Sequence, residues 1–357
     1  MADAIQSLRV ELAMAIDEGA GHVTGAAVSP SWRLMPTVIA SLVGIDVVSR
    51  EAVWASGSFL GPGLGEAEGP GVVVRTVDGG ASWQNVTPPG GERSAFHDIE
   101  AFDRDHAVVL AIGSGKKSKI YLTANGGKTW KLVFENQERN AFYDGIAFFD
   151  RDNGIALSDP VGGQFRILTT GNGGQSWKVA PSNAELKARR NEGVHASGTS
   201  LVTKGPQDAW FGTVLPGANS RVFHTPDRGR TWSVADTPIS ADLGAGIFSL
   251  AFWDTKQGLI LGGGNPVGND PSVVARTTDG GMTWSRVGSP ASFRTNMALT
   301  DRMDSAVAVG FTGSDFTTNR GDTWQLFDQT DLRGVDCKQN AGCWAVGKNL
   351  TAAKLIT

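Results

Sequence analysis

The feature that most constrains this chain is a pattern of eight residues that recurs six times. It reads Thr, any residue, Asp or Asn, any residue, Gly, any residue, Ser or Thr, Trp. The six copies end at Trp83, Trp130, Trp177, Trp232, Trp284 and Trp324. Successive copies are therefore 40 to 55 residues apart. Repeats of this period are typical of β-propeller blades, so the sequence predicts a propeller.

The residue types in this pattern, which we call the repeat turn, predict a tight hairpin connection. Asp and Asn side chains accept hydrogen bonds from backbone amides a few residues further on, and glycine adopts positive φ without strain. Tryptophan then buries a large ring between sheets. Because turn chemistry explains every fixed position, we expect Asp78, Asp227 and Asp279 to be structural and not catalytic.

The number of blades follows from the residues outside the six copies. Each repeat carries two further strands ahead of the pair that flanks the turn, which gives four strands per blade. The segment from Leu332 to Thr357 supplies inner strands but no repeat turn, and the segment around Trp32 supplies a further tryptophan. We therefore predict an all-β, seven-bladed propeller of four-stranded antiparallel blades over residues 29–357, closed by the N- and C-terminal segments. Such closure removes open sheet edges.

Residues 1–28 precede the predicted propeller. Ile5, Leu8, Leu12 and Ile16 recur at helical spacing, which predicts a short amphipathic helix that packs on the propeller or on a partner. The segment lacks a basic region followed by an apolar run. We therefore expect a cytoplasmic location, or secretion for a chain whose leader has been removed.

Charge and motifs exclude several kinds of partner and cofactor. The formal net charge is −4, which does not favour nucleic acid. No apolar run approaches the ~20 residues of a membrane span. The glycine-rich stretch at 262–271 precedes no helix, and neither a nucleophile elbow nor a zinc-protease motif is present. No cofactor is therefore predicted.

The two cysteines, Cys337 and Cys343, flank a tight turn. A disulfide across the hairpin and a pair of reduced thiols are both compatible with this spacing. No histidine lies near them in the sequence to complete a metal site, so no metal is predicted.

Candidate functional residues emerge when the starts of the seven inner strands are aligned. In a propeller these positions surround the central channel. The second position of the alignment holds Val43, His97, Tyr143, His195, Phe248, Arg294 and Arg333. The third holds Gly44, Asp98, Asp144, Ala196, Ser249, Thr295 and Gly334. Five of the seven residues at the second position are His, Tyr or Arg, which predicts a ligand site at the channel mouth.

The residue types indicate separate roles in that site. Guanidinium groups bind carboxylates and phosphates through paired hydrogen bonds, and His and Tyr transfer protons. The predicted ligand-binding residues are Arg294, Arg333 and Ser249. The predicted catalytic residues, which move protons or tune the groups that do, are His97, Tyr143, His195, Asp98, Asp144 and Glu192. The alternative is that the ring only satisfies hydrogen bonds and holds ordered water, with Asp98 and Asp144 bonding adjacent blades.

The six turns, the blade length and phrases such as FHDIEAFD, SDPVGGQF and HASGTSLV resemble one family. It is the Asp-box (BNR-repeat) group of propellers similar to the photosystem II stability and assembly factor, and the resemblance covers about residues 30–357. It implies a non-enzymatic scaffold with arginines near the start of several inner strands. Val43 and His97 stand where it implies arginine. Sialidases share the turn motif, but no FRIP-like motif precedes the first copy.

Several functions remain open from the sequence. The first is a non-redox, lyase-like acid–base enzyme acting on a carboxylated substrate, either a small anionic molecule or a uronate-type saccharide. The second is a non-catalytic assembly scaffold that binds a protein partner. A glycoside hydrolase that uses Asp98 and Asp144 as its two carboxylates is a further alternative. A propeller whose channel has no role beyond structure is the last.

Overall fold

The structure is a computed structural model that describes residues 31–34, 40–59, 69–91, 94–240, 246–264 and 270–356. Within these ranges the chain forms 28 strands in seven sheets of four. Neighbouring strands in every sheet are antiparallel. This confirms the predicted seven-bladed propeller.

The first described strand, β1 (Ser31–Leu34), belongs to the last blade. The next three blades follow the chain from the innermost strand outwards. Blade 1 consists of β2 (Ser41–Val47), β3 (Val53–Ser58), β4 (Gly71–Thr76) and β5 (Gln84–Asn85). Blade 2 consists of β6 (Phe96–Ala101), β7 (Ala107–Ala111), β8 (Lys119–Thr123) and β9 (Lys131–Glu135). Blade 3 consists of β10 (Tyr143–Phe148), β11 (Gly154–Val161), β12 (Gln164–Thr170) and β13 (Lys178–Val179).

Blades 4 to 6 repeat the same order. Blade 4 consists of β14 (Leu201–Lys204), β15 (Asp208–Gly212), β16 (Asn219–Thr225) and β17 (Ser233–Ser240). Blade 5 consists of β18 (Ile247–Phe252), β19 (Gly258–Gly262), β20 (Val273–Thr277) and β21 (Ser285–Arg286). Blade 6 consists of β22 (Asn296–Leu299), β23 (Ala306–Gly310), β24 (Gly313–Thr317) and β25 (Gln325–Asp328).

Blade 7 joins both ends of the propeller, as the sequence predicts. Its inner strands are β26 (Leu332–Lys338), β27 (Gly342–Gly347) and β28 (Ala352–Ile356), and its outermost strand is β1. Ser31 pairs with Ile356, and Leu34 pairs with Ala353. The predicted helix over residues 1–28, and the boundary proposed after it, lie outside the described residues.

The backbone of Trp32 takes the position that the repeat-turn tryptophan has in the other blades. In blade 1 the residue after that tryptophan, Gln84, pairs with Arg75 of the third strand. In blade 7 the residue after Trp32 pairs with Lys354 of the third strand. Arg75 and Lys354 are equivalent, because each also pairs with a tryptophan of the second strand. Blade 7 therefore keeps the register of a complete blade although its outer connection is absent.

Helical structure is minor in the described ranges. Three short 3-10 helices occur there, at Gly115–Lys117, Ala184–Leu186 and Lys348–Leu350. None of the helices described has the length and apolar character that crossing a bilayer requires.

The innermost strands form a closed ring around the central channel, because each contacts the innermost strands of both neighbouring blades. They are β2, β6, β10, β14, β18, β22 and β26. We call the face of the propeller on which these strands begin the start face. The opposite face, where they turn into the second strands, is the end face.

The hydrophobic core lies between neighbouring blades. Val108 and Leu110 of β7 pack against Ile146 of β10 and against the repeat-turn residue Trp177. β7 alternates its side chains between two blade interfaces, so all of its residues are buried and apolar. Repeat-turn tryptophans add edge-on ring contacts across interfaces, such as Trp130 of blade 2 on Trp54 of blade 1, with centroids 6.2 Å apart.

Each repeat turn is held by its own side chains. In the first copy the amide of Ser82 donates to Asp78 Oδ1 (2.9 Å), and the hydroxyl of Ser82 donates to Asp78 Oδ2 (2.5 Å). The amide of Gly80, at φ 88°, donates to Thr76 Oγ1 (2.9 Å). The turn chemistry predicted from the sequence is therefore the turn chemistry observed.

The repeat turns also fasten the end face. In every copy the amide four residues before the tryptophan donates to a carbonyl in the hairpin between the first and second strands, at 2.8–3.0 Å. The acceptors are Glu51, Asp105, Asp152, Gln207, Lys256 and Asp304. Blade 7 lacks a repeat turn, and its equivalent carbonyl, Asn340, accepts instead from the Arg50 guanidinium of blade 1 at 2.8 Å.

Cys337 and Cys343 face each other across β26 and β27 and form a disulfide, with their Cα atoms 4.0 Å apart. Of the two states that the sequence leaves open, the structure contains the disulfide. It ties together the inner hairpin of the blade that closes the ring.

Candidate functional site

A bulge near the start of the inner strands determines which side chains reach the channel. The register of five inner strands skips one residue at this point. The skipped residues are Val43, His97, Asp144, Phe248 and Arg333. Four of them occupy the second position of the sequence alignment. In blade 3 the skipped residue is Asp144, so the alignment was wrong by one position there.

Tyr143 consequently faces the core and not the channel. It pairs with Ser158 and is 1% exposed within the cluster between blades 2 and 3. Its ring meets Phe134 edge-on, with centroids 5.4 Å apart. Burial, together with the charge of Glu138, raises the pKa of the Tyr143 hydroxyl. The structure therefore contradicts the prediction that Tyr143 lies at the channel mouth.

Arg294 is also displaced from the predicted site. It precedes β22 and its side chain is fully buried. Its Nε donates to Asp315 Oδ2 at 2.7 Å, its Nη2 lies 2.6 Å from the same oxygen in an ion pair, and its Nη1 donates to Ser292 Oγ at 2.7 Å. Arg294 is therefore buried in an ion pair and does not lie at an open channel mouth, and anion binding by this residue stays a prediction.

Arg333, the other predicted anion ligand, occupies a bulge position but has partners of its own. Its Nε donates to Asp331 Oδ1 at 3.0 Å, and its guanidinium carbon lies 4.7 Å from the ring centroid of Phe311. Burial lowers the pKa of Arg333. The predicted clamp of two free guanidinium groups is therefore not assembled.

The two predicted histidines lie near each other beside the start face. His97 Nδ1 is 3.3 Å from the carbonyl of Ala196. His195 lies six residues ahead of β14, not on it, and its ring contacts Phe248 with centroids 4.4 Å apart. The alignment of His195 with the inner-strand residues was therefore wrong.

The electrostatics of the histidine pair keep both rings neutral. Burial lowers the pKa of His97 to about 4, and burial together with the nearby His97 lowers the pKa of His195 to about 4. Within the described ranges, His97 Nε2 and His195 Nδ1 are buried without a hydrogen-bond partner. Proton transfer by these two rings stays a prediction.

Asp98 and Ser249 connect neighbouring inner strands. Asp98 Oδ2 accepts from the amide of Ile146 in the next blade at 2.7 Å, and its Oδ1 accepts from Ile99 at 2.9 Å. Ser249 Oγ accepts from the amide of Met297, also in the next blade, at 3.0 Å. These contacts match the alternative in which polar ring residues bond adjacent blades.

Asp144 and Glu192 are buried among protein partners. Asp144 Oδ2 accepts from the amide of Asp159 at 3.0 Å, and burial, reinforced by the Asp159 charge, raises the pKa of Asp144 well above its usual value. The fully buried Glu192 carboxylate binds the guanidinium of Arg221 and accepts from the Thr213 hydroxyl at 2.8 Å. Neither carboxylate reaches the open channel, so the structure does not bring them together with the histidines.

The open part of the channel lies at the opposite end from the predicted mouth. A cavity of about 630 Å³ runs from Asp98 and Thr199 to the end face. His97, His195, Arg294 and Arg333 do not line it. Its wall is built mainly from residues that follow the bulge on the inner strands.

Three half-buried carboxylates line this cavity: Asp46, Glu100 and Asp336. Asp46 Oδ2 accepts from the amide of Ala101 at 2.6 Å, and Asp336 Oδ2 accepts from the amide of Val47 at 2.8 Å. Both contacts cross to the next inner strand. We call these three residues the channel carboxylates.

Burial, reinforced by the crowding of like charges, raises the pKa values of the carboxyl groups in this wall. Burial and the charge of Asp336 raise the pKa of Asp46 to about 7, and burial raises the pKa of Asp98 to about 8. Burial and the neighbouring carboxylates raise the pKa of Glu100 well above its usual value. The wall therefore stores protons at neutral pH that a cation could displace.

The rim of the cavity carries mixed charge from end-face hairpins, with Lys204, Lys338, Arg302 and Asp301 around the opening. No group of three or more His, Cys, Asp or Glu side chains in the described part of the chain is arranged to hold a metal ion.

Sequence reasoning missed the channel carboxylates although a signal was present. Asp46, Glu100 and Asp336 are the fifth residues of LVGID, FHDIE and LRGVD, three of the aligned inner-strand segments. An acidic residue at one position in three blades of a ring predicts three carboxylates around one axis. The predicted site was instead based on the second and third positions, because the second position holds His, Tyr and Arg residues.

Comparison with known proteins shows relationship at the level of fold. No protein-family model matches the chain, and no curated protein matches it. A solved structure of YCF48 bound to a D1 peptide is 14% identical, with a TM-score of 0.64, and the match covers 93% of this chain and 98% of that one. YCF48 from Cyanidioschyzon merolae is 15% identical, with a TM-score of 0.64 and coverage of 90% and 98%. A GH74 enzyme from Niastella koreensis is 12% identical over 86% of this chain and 66% of that chain, with a TM-score of only 0.37.

Proposed function

We propose that this chain is a non-catalytic scaffold of the Asp-box type that binds a protein partner on its end face. A basic side chain of the partner would enter the channel and meet the channel carboxylates. The observation that carries the proposal is the cavity itself, which is about 630 Å³ in volume and lined by Asp46, Glu100 and Asp336.

The chemistry of the cavity favours a cation over the small anion expected from the sequence. The inner wall carries the channel carboxylates, whereas the cations of the lining, Lys204, Arg302 and Lys338, lie at the rim. An anion that passed the rim would lose its hydration and meet carboxylates of like charge. An ammonium or guanidinium group would form charge-assisted hydrogen bonds with those carboxylates. A uronate or other carboxylated ligand therefore has little support from this geometry.

The arrangement of the predicted catalytic and ligand-binding residues also supports a scaffold. Tyr143, Arg294 and Glu192 are committed to core or ion-pair contacts away from the histidines. A general base must lie within hydrogen-bond reach of the proton that it abstracts. The lyase-like and glycosidase functions stay predictions that no contact in the described residues favours.

The resemblance seen in the sequence and the fold comparison are consistent with this proposal. YCF48, a photosystem II assembly factor, has a solved structure with a bound D1 peptide. The D1 peptide is a ligand of YCF48, and the proposal for the present chain names only a partner with a basic side chain. What the two proteins share, on this proposal, is peptide recognition by a seven-bladed propeller.

Peptide binding measured by fluorescence anisotropy tests the proposal. The probe is a labelled octapeptide with four central arginines, and its companion carries citrulline at the same four positions. We expect the arginine peptide to bind at least five-fold more tightly than the citrulline peptide. Affinity should rise from pH 6 to pH 8, because binding requires the channel carboxylates to be ionised.

Variants separate the channel from general attraction to the end face. The double variant Glu100→Gln/Asp336→Asn should lose at least five-fold in affinity. The matched control, Glu51→Gln/Asp152→Asn, replaces the same number of carboxyl groups on exposed hairpins of the end face and should lose less than two-fold. Equal losses in both variants, or equal binding of both peptides, would contradict the proposal.

A further inference from the structure

A second cavity lies between blades 6 and 7 on the outer side of the propeller. Its volume is about 680 Å³. Its floor is apolar, with Val307 and Phe316 from blade 6 and Cys343 and Leu355 from blade 7. Its rim is mainly basic. The charged residues of the lining are Arg50, Arg302, Lys354 and Asp301. We call this cavity the closure groove.

The closure groove differs from its counterpart between blades 3 and 4. There, the wall on the side of blade 4 is the repeat turn itself, at Arg228, Gly229 and Arg230. Blade 7 has no repeat turn, and the corresponding wall is formed by residues of β27 and β28. The groove therefore extends inward to side chains that a turn would cover.

β1 begins beside this groove. Ser31 pairs with Ile356, the neighbour of the groove residue Leu355. The end of β28 is where the third strand of any other blade would pass into its repeat turn. The first described residue, Ser31, therefore lies at the position of the absent turn.

The sequence of this segment complements the groove in both polarity and charge. Ile5, Leu8, Leu12 and Ile16 form one apolar stripe at helical spacing. The segment carries four acidic residues, Asp3, Glu11, Asp17 and Glu18, against a single arginine. The groove offers an apolar floor and three basic side chains against one acidic one.

We propose that residues 1–16 dock in the closure groove as an amphipathic helix, with the apolar stripe on Val307, Phe316 and Leu355. The segment then covers the blade that lacks a repeat turn and adds contacts across the seam between blades 6 and 7. This goes beyond the proposed peptide binding, since the groove and the channel are separate cavities with different linings.

The connection between the stripe and β1 is long enough for such docking. Fourteen residues separate Ile16 from Ser31, and they include three glycines, three alanines and one serine. A connection of this length holds a tethered segment at an effective concentration in roughly the millimolar range. Weak intrinsic contacts are therefore enough to populate the docked state.

Site-specific photocrosslinking of the full chain tests this inference. A benzoylphenylalanine residue at Leu12 should crosslink within one chain to the peptides that contain residues 306–317 and 341–356. Photocrosslinking leaves the disulfide intact, which a test based on new cysteines would endanger. Crosslinks that appear only as covalent dimers would show that a second copy is the occupant, and would overturn the proposal.

Matched variants show whether the apolar stripe is responsible. Leu8→Asp/Leu12→Asp, with the photocrosslinker moved to Ile5, should reduce the yield of groove crosslinks at least five-fold. Hydrogen exchange of residues 306–317 should rise in the same variant. Val10→Asp/Met14→Asp changes charge equally on the opposite face of the helix and should leave both readouts within two-fold of wild type. Equal effects of the two double variants, or crosslinks elsewhere on the propeller, would refute docking in the groove.

Discussion

At the scale of single residues, buried titratable groups around the channel have opposite effects on how the stability of the fold depends on pH. Asp98 has a raised pKa and holds its proton in the folded state, whereas His97 and His195 have lowered pKa values and stay neutral. Raised carboxylate pKa values make folding less favourable as pH rises, and lowered histidine pKa values do the reverse. The dependence of wild-type stability on pH contains both contributions, and a variant that removes one titratable group separates them.

The first prediction concerns Asp98→Asn. The folded pKa of Asp98 is about 8 and its ordinary value is 3.8, so between these values the unfolded chain loses a proton that the folded chain keeps. Its contribution to stability therefore falls as pH rises through this window, with a limiting slope of about 1.4 kcal/mol per pH unit. The asparagine variant lacks this slope. Its single carbonyl oxygen can replace only one of the two carboxyl oxygens that accept from Ile146 and Ile99, so a loss that does not depend on pH is added at every pH.

Urea unfolding at pH 5, 6.5 and 8 measures this effect. The stability of Asp98→Asn relative to wild type should increase steadily across the three values. Parallel curves for the two proteins would mean that the Asp98 carboxyl ionises normally in the folded state.

At the scale of elements, the repeat turn is a self-contained structural unit. The aspartates of the turn have lowered pKa values: burial opposes this shift, and hydrogen bonds from the turn overcome it. In Asp279 the pKa falls to about 2, with Thr283 and Thr277 as the main donors. Three of the six copies carry asparagine at the same position and retain the bond to the turn hydroxyl, as Asn125 does with Thr129 at 2.8 Å.

Because copies of the repeat turn carry either Asp or Asn at this position, an asparagine variant is a natural control for an alanine variant. Asp279→Ala removes the acceptor for two amides and two hydroxyl groups and should lower the free energy of unfolding by about 1–2 kcal/mol. Asp279→Asn should cost less than half as much at pH 7. Because the folded pKa of Asp279 is depressed, the stability that it contributes should be lost as pH falls from about 4 to 2. Chemical denaturation of the three proteins at pH 7 and pH 3 checks both statements, and identical losses in the two variants would contradict them.

The inner strands show where inference from sequence succeeds and where it stops. The repeat turns fix the number and order of the blades, because their chemistry is local and every participant lies within eight residues. The bulge is not local: whether Tyr143 or Asp144 is skipped depends on pairing with β11, and the position of Arg294 depends on its ion pair with Asp315 in β24. A shift of one residue sends a strand side chain to the opposite side, so the predicted site lost Tyr143 and Arg294 while the fold remained correct.

At the scale of the whole molecule, the propeller depends on β1 to close the ring. β1 is the outermost strand of blade 7 and pairs with β28 over four residues. Without it, β28 would present an unpaired edge, and exposed edge strands promote aggregation.

Two truncations of different length test this dependence. Removal of residues 1–34 deletes β1 and should produce concentration-dependent aggregation and a melting temperature at least ~5 °C below wild type. Removal of residues 1–28 keeps β1 and should leave the protein monodisperse by light scattering, with a smaller thermal shift. If the longer truncation were equally monodisperse and equally stable, ring closure by β1 would not be needed for the fold.

The pairing of Ser31 with Ile356 also has a mechanical consequence. Both ends of the described chain leave the molecule from the same end of one antiparallel strand pair. A force that separates the two ends would load the β1–β28 hydrogen bonds one after another, as a zipper opens, and not all at once in shear. Under tension β1 would therefore separate from β28 before the six blades that are formed by continuous segments. The propeller has a defined first point of mechanical unfolding, at the strand pair that closes it.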